Sequence, residues 1–191
     1  MENVATKKKT ILRIGKQSIS DQEIYKYVYK GMPFQAKFSR RVDEAFLREH
    51  TLDKRLIYHP FWVAKVLVIA ERPPFPPRKL PNVIFVDGVS GYRGVFSKVP
   101  PIQKEEVDSG EIVPLKIASQ NEAKRFVKDV QEKQINRSYI LKKPLHELKN
   151  LQLVYLPLWK INITSEPVTD TLYINANTGE IEKHLQQQWK N

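Results

Sequence analysis

The sequence predicts an α+β protein of two related halves, each a helix or helices packed on an antiparallel sheet. Three observations predict it. A motif recurs, as Leu56-Ile57-Tyr58-His59-Pro60-Phe61-Trp62 and as Leu153-Val154-Tyr155-Leu156-Pro157-Leu158-Trp159. Each copy leads into an apolar run and then a return run closing on a glycine turn, Phe85 to Gly91 in one and Tyr173 to Gly179 in the other. Each half also carries a capping box, Ser20-Asp21-Gln22-Glu23 and Ser119-Gln120-Asn121-Glu122, ahead of apolar residues at helical spacing.

The spacing points to an internal duplication. Tyr58 and Tyr155, Pro60 and Pro157, and Trp62 and Trp159 are each 97 residues apart, whereas Gly91 and Gly179 are 88 apart. The nine extra residues of the first copy fall at Arg72-Pro73-Pro74-Phe75-Pro76-Pro77-Arg78, a hairpin connection that tolerates insertion. The expected division is a basic tail and short strand over 1–19, a first repeat over 20–99 with a Pro-rich loop at 72–81, a linker over 100–117 and a second repeat over 118–191.

Taken in order, residues 1–9 read as a basic tail and Thr10 to Ile14 as a strand rich in β-branched residues. Ser20 caps a helix whose inner face carries Ile24, Tyr27 and Val28, ending at Gly31 and Pro33. Ser39 caps a second helix, Arg40 to Glu49. The connection between them is too long for a helix-turn-helix. Pro60 is placed near a strand start, where its missing amide costs least. Phe61 to Ala70 is a covered strand, Val83 to Asp87 its return, and Tyr92 to Val99 a third strand. The Pro-rich tract between them is extended and stiff. The helix after Ser119 presents Ala123, Phe126, Val127 and Val130 on one face, with Lys124, Arg125 and Lys128 solvated. Leu145 to Leu148 reads as a helical turn. Strands follow over Gln152 to Thr164, Thr171 to Asn175 and Glu180 to Leu185.

Trp159-Lys160-Ile161-Asn162-Ile163, with Leu172-Tyr173-Ile174-Asn175-Ala176-Asn177-Thr178-Gly179-Glu180-Ile181, resembles the PepSY group of domains. That group pairs a helix with a β-hairpin ending in a hydrophobic-x-hydrophobic-Asp-x-x-Thr-Gly-Glu/Lys-hydrophobic motif. The match spans about residues 118 to 185, with Asn175 at the usual Asp position. The first copy is looser: Asp87 is kept, but Ser90-Gly91-Tyr92 stands for Thr-Gly-Glu. The resemblance implies a non-enzymatic interaction or regulatory module, often associated with the cell envelope and peptidase regulation.

Composition narrows the chemistry. With 41% hydrophobic and 28% charged residues in 191, the chain has an ordinary globular balance. It has no cysteine, which removes disulfides, thiol catalysis and Cys-ligated zinc. No dinucleotide or phosphate-loop glycine pattern and no nucleophile elbow occurs. The four histidines are scattered, and His59, in its apolar setting, reads as structural. Glu105, Glu106, Asp108 and Glu111 read as a solvated acidic loop. No catalytic residue, metal ligand or cofactor is expected, and the chain is read as not an enzyme.

The net charge of +11 favours polyanionic partners. The expected partner is another protein, with nucleic acid or an anionic membrane surface as further possibilities. The Pro-rich segment loses little entropy on binding, so Arg72, Phe75, Arg78 and Lys79 are the candidate partner-binding residues. Trp62 and Trp159 recur at matched positions and are expected to fill equivalent cores rather than stack on bases. No run is apolar over the length of about 20 residues that spans a bilayer. Met1 to Lys9 carries no leader pattern. The default expectation is cytoplasmic, or envelope-associated where a leader or anchor has been removed.

Overall fold

A computed structural model describes residues 7–16, 18–32, 42–98, 100–165 and 168–188. The expected roles of Pro33, Ser39, Arg40 and Arg41 fall outside these residues, as does the tail before Lys7. The elements in order are β1 (Lys8–Ile14), α1 (Ile24–Gly31), α2 (Glu44–Glu49), β2 (Thr51–Arg72), β3 (Phe75–Asp87), β4 (Arg93–Val95), β5 (Ile102–Asp108), α3 (Gln120–Val130), β6 (Leu145–Ser165), β7 (Val168–Asn175) and α4 (Lys183–Gln188). The fold is α+β with one large sheet. Its strand order is β4-β3-β2-β6-β1-β5, with β7 paired to β6 off that path.

The chain separates into two compact units, each drawn from both halves of the sequence. The first comprises residues 1–59, 102–113 and 156–191, and the second residues 60–101 and 114–155. These are not the spans 20–99 and 118–191 expected from the sequence. The two long strands account for the difference: β2 gives its start to the first unit and its end to the second, and β6 does the reverse.

In the first unit, Ile24, Tyr25 and Val28 of α1 and Leu47 of α2 pack on Ile161, Ile163, Leu172 and Ile174 of the β6–β7 hairpin. Tyr25 rather than Tyr27 lies deepest, and Tyr27 is half-buried beside it. The Ser20 box closes partly: Ser20 Oγ donates to Glu23 Oε2 at 2.6 Å and the Ser20 amide to the same oxygen at 3.3 Å. Asp43 caps α2, its Oδ1 accepting from the Phe46 amide at 2.7 Å. The described helix starts at Glu44, and the expected start at Arg40 lies outside the described residues. A satellite cluster joins Ile57, Leu158, Tyr173 and Leu185.

In the second unit, Ala123, Val127 and Val130 of α3 cover Trp62, Ala64, Val66, Ile84 and Val86. The Ser119 cap forms as expected, with Ser119 Oγ accepting from the Glu122 amide at 3.1 Å. Each helix thus packs on the hairpin from the other half of the sequence.

The two units repeat one set of bonds. Trp62 Nε1 donates to the Ile117 carbonyl at 2.8 Å, and Trp159 Nε1 to that of Ile19 at 2.9 Å. The Gly88 amide donates to Pro60 O at 2.9 Å, and the Ala176 amide to Pro157 O at 2.9 Å. The Gly91 amide reaches Asp87 O at 2.9 Å, and the Gly179 amide Asn175 O at 2.8 Å. Gly91 and Gly179 sit at φ 75° and 77°, backbone that a side chain disfavours. Asp87 Oδ1 accepts from the Val89 amide at 2.8 Å and Asn175 Oδ1 from the Asn177 amide at 2.9 Å. A side-chain amide oxygen accepts in one turn where a carboxylate oxygen accepts in the other.

Several elements differ from expectation. Pro60 is not at the start of β2, which begins at Thr51, but it directly precedes the β2–β3 ladder that opens at Phe61↔Asp87. The 100–117 segment is not only a linker: β5 pairs β1 from Ile14↔Ile102 to Lys8↔Asp108. Leu145 to Leu148 opens β6 instead of forming a turn of helix. Beyond Gly179 the expected strand is one bridge, Ile174↔Ile181, followed by α4. Among the described residues, no helix is long and apolar enough to cross a membrane.

Candidate functional site

The 72–81 segment is not a loop. β2 runs to Arg72 and β3 starts at Phe75, so the strands pair almost to the turn: Val68↔Leu80, Ile69↔Lys79, Ala70↔Arg78 and, past a bulge, Arg72↔Phe75. Pro81 permits this because its amide position lies on an outer edge. β4 covers β3 only at Ile84 to Val86. Val83 turns its carbonyl outward to the Phe96 amide at 2.8 Å. Pro81 shares the parity of Val83, so its missing amide falls on the uncovered edge, where no ladder bond is lost.

The result is a hairpin arm, open on its β3 edge and flanked on its β2 edge by β6, with its end exposed. Every residue from Glu71 to Lys79 is exposed, and Phe75 is 66% exposed. Arg72 folds back on the turn, its Nε donating to Pro76 O at 3.0 Å. All four residues expected to bind a partner (Arg72, Phe75, Arg78 and Lys79) come together here. From Arg72 to Val86 there is no carboxylate.

One face of the β2–β3 sheet lies under α3, through Ala64, Val66 and Ile84. The opposite face carries a shallow depression of about 350 Å³ lined by Lys65, Leu67, Pro81, Val83 and Lys149. Its floor is apolar and its rim cationic, with Lys149 paired to Glu147. Another depression, about 570 Å³, lies in the first unit between the last turn of α1 and the turn Thr178 to Lys183.

Sequence reasoning missed a neighbour of the arm. Lys142, just ahead of β6, is ion-paired with Glu71, next to Arg72, so this segment lies beside the arm. Lys143 Nζ secures that segment by donating to the Asn136 and Tyr139 carbonyls, each at 3.0 Å. Ile140 and Leu141 are 92% and 101% exposed, and Leu145 is exposed too. The available signal was Ile140-Leu141-Lys142-Lys143, an aliphatic pair followed by cations in a stretch without helical or strand periodicity.

His146 closes the segment from below. Its Nε2 lies 2.8 Å from Asn136 Oδ1, while its buried Nδ1 meets no hydrogen-bonding group among the described residues. The neutral ring with the proton on Nε2 fits; protonating Nδ1 buries a charge without an acceptor. Burial accordingly holds the imidazole below its ordinary pKa. The folded state then binds fewer protons than the unfolded one, so stability is complete at neutral pH and falls as pH drops below about 6.5. We expect a lower Tm at pH 5.5 than at pH 7.5, and a smaller drop in His146→Gln, read by calorimetry.

The other polar groups serve the fold. Glu105 is not in a solvated loop but in β5, where Arg13 Nε lies 3.3 Å from its Oε2 and Tyr58 Oη donates to its Oε1 at 2.9 Å. Burial first, then the Glu105 carboxylate, pushes the Tyr58 phenol up. Arg13 Nη2 also reaches Asn177 Oδ1 at 3.3 Å. His59 is fully buried. Trp62 is 5% exposed, which removes it as a base-stacking platform. Among the described residues, no group of three His, Asp or Glu is placed to hold a metal ion.

No protein-family model, curated protein or solved structure matches this chain.

Proposed function

We propose that this chain is a non-catalytic protein-interaction or regulatory module whose binding element is the β2–β3 arm. The supporting observation is the placement of Arg72, Phe75, Arg78 and Lys79 on an arm that no other element of its unit covers at its end. A partner segment with acidic and aliphatic side chains suits the flank, with apolar groups over Leu67, Pro81 and Val83 and carboxylates toward Lys65 and Lys79. The repeated hydrogen bonds at Trp62 and Trp159, and at the turns of Gly91 and Gly179, support reading the two hairpins as copies of one ancestral unit. They also favour the resemblance to PepSY domains, whose hairpin turn the second copy follows at Thr178, Gly179, Glu180 and Ile181.

The reading is tested in living cells with a photo-crosslinking residue in place of Leu67 or Lys79. The expected result is a discrete protein adduct from both positions that disappears when Arg78→Glu is added. Adducts no different from those at a control position, Lys104, overturn it.

Nucleic-acid binding is the second reading, favoured by the same cations and by Lys124, Arg125 and Lys128, all displayed on α3 away from its packed face. It requires tight binding to single- or double-stranded DNA or RNA that weakens steeply between low and physiological salt. Absence of binding at low salt removes it.

A further inference from the structure

Among the described residues, seven large hydrophobic side chains are exposed, and five of them belong to the arm and the segment beside it: Phe75, Ile140, Leu141, Leu145 and Leu148. Scattered exposed apolar residues are ordinary; this grouping in one unit is not. The cations around them are as concentrated. Arg72, Arg78, Lys79, Arg137, Lys142 and Lys143 are all exposed. Neither 72–86 nor 133–146 contains a carboxylate. The flanking acids Glu71 and Glu147 are each already joined to a lysine, Lys142 and Lys149.

We infer that this end of the second unit docks on an anionic bilayer surface, Phe75, Ile140 and Leu141 entering the headgroup region and the cations other than Lys142 meeting lipid phosphates and carboxylates. The inference rests on the reading of the arm as the binding element, and it assigns the tip to lipid while the flank is left to a protein. Three arguments select lipid. Ile140 and Leu141 are consecutive and both almost wholly exposed, so they form a ridge, not a flat face. A fluid interface takes a ridge from both sides, whereas a folded partner needs a matching pocket. Four of the five apolar groups are aliphatic and offer no ring for a nucleobase to stack on. Apolar side chains flanked by lysine and arginine are the composition of interfacial anchors, and anionic headgroups supply the complementary charge.

The chain contains no cysteine, which makes the test direct. An environment-sensitive dye is attached to the full chain at Phe75→Cys, at Leu141→Cys or, as control, at Leu52→Cys, an exposed position of the first unit. Each is titrated with vesicles of phosphatidylcholine, alone or with phosphatidylserine at about one part in three. The expected result is a blue shift at positions 75 and 141 with the anionic vesicles, absent with phosphatidylcholine alone and absent at position 52. Adding Arg78→Ala and Lys79→Ala should weaken binding about thirty-fold, at about five-fold per cation. Equal shifts at all three positions, or none at 75 and 141, overturn the inference. In the second case the crosslinking at Leu67 and Lys79 separates the readings: a protein adduct there keeps the arm as the binding element and removes only the lipid, whereas no adduct removes both.

Discussion

Residues 1–99, produced alone, are expected to lack cooperative structure, as are residues 100–191. Mixing the two should restore it. Each fragment holds pieces of both units and the whole of neither. The first has Ile24, Tyr25, Val28 and Leu47 without Ile161, Ile163, Leu172 and Ile174, which close their cluster. It also has Trp62, Ala64, Ile84 and Val86 without Ala123, Val127 and Val130, which cover them. A helix as short as α1 is marginal without a packed face, and an isolated hairpin is no better. The measurement is amide dispersion in an NMR spectrum and the denaturant transition of each fragment and of the mixture. A cooperative transition from 1–99 alone would show that α1 can close on the hairpin of its own half. The chemistry for that exists, since the Ile19 and Ile117 carbonyls do equivalent work for the two tryptophans.

Gly179→Ala should destabilise the protein by about 2–4 kcal/mol, enough to lower Tm by many degrees. Two penalties combine. The backbone at φ 77° disfavours any side chain, and a Cβ built there lands 2.0 Å from Tyr27 Cδ1. Tyr27 belongs to the packed face of α1, so relieving the clash moves an aromatic ring out of the first unit's core. Gly91→Ala should cost less. It shares the strained φ, but its Cβ would meet Phe126 Cε1 at 3.0 Å, a contact that a small ring shift relieves. Gly110→Ala meets nothing within 4 Å and serves as the neutral reference. Thermal unfolding of the three variants gives the order; a Gly179→Ala protein as stable as the Gly110→Ala one would rule out the packing described for Tyr27.

The elements legible in the sequence are those that local chemistry determines. The Ser119 cap and the Ala123, Val127, Val130 stripe need only neighbours within a few turns of chain. Trp62 was legible as a core residue; Trp159, expected to match it, is half-buried and packs against the first unit's cluster from the side. Which helix packs on which hairpin was not legible, because two similar hairpins offer two similar helices the same tryptophan donor and the same apolar surface. Local pattern cannot choose between them; the paths of β2 and β6 do. The extension of β3 through Pro76, Pro77 and Pro81 was hidden for a related reason. Proline argues against a strand only where its amide is needed, and which edge is covered is a tertiary fact. The arm's cations and Phe75 were visible at once. Ile140 and Leu141 were not, since what brings them alongside is the pairing of β6 with β2, a tertiary fact, together with the Lys142–Glu71 pair.

The prolines of β3 have a consequence for how the molecule survives in a crowded solution. A strand with one uncovered edge ordinarily invites another chain to add to it, and sheets grow that way into fibrils. An edge missing its amide at Pro81 breaks the run of donors that such growth requires. The arm can therefore be long and exposed without templating a second copy, and whatever recognises it must do so through side chains rather than by strand addition.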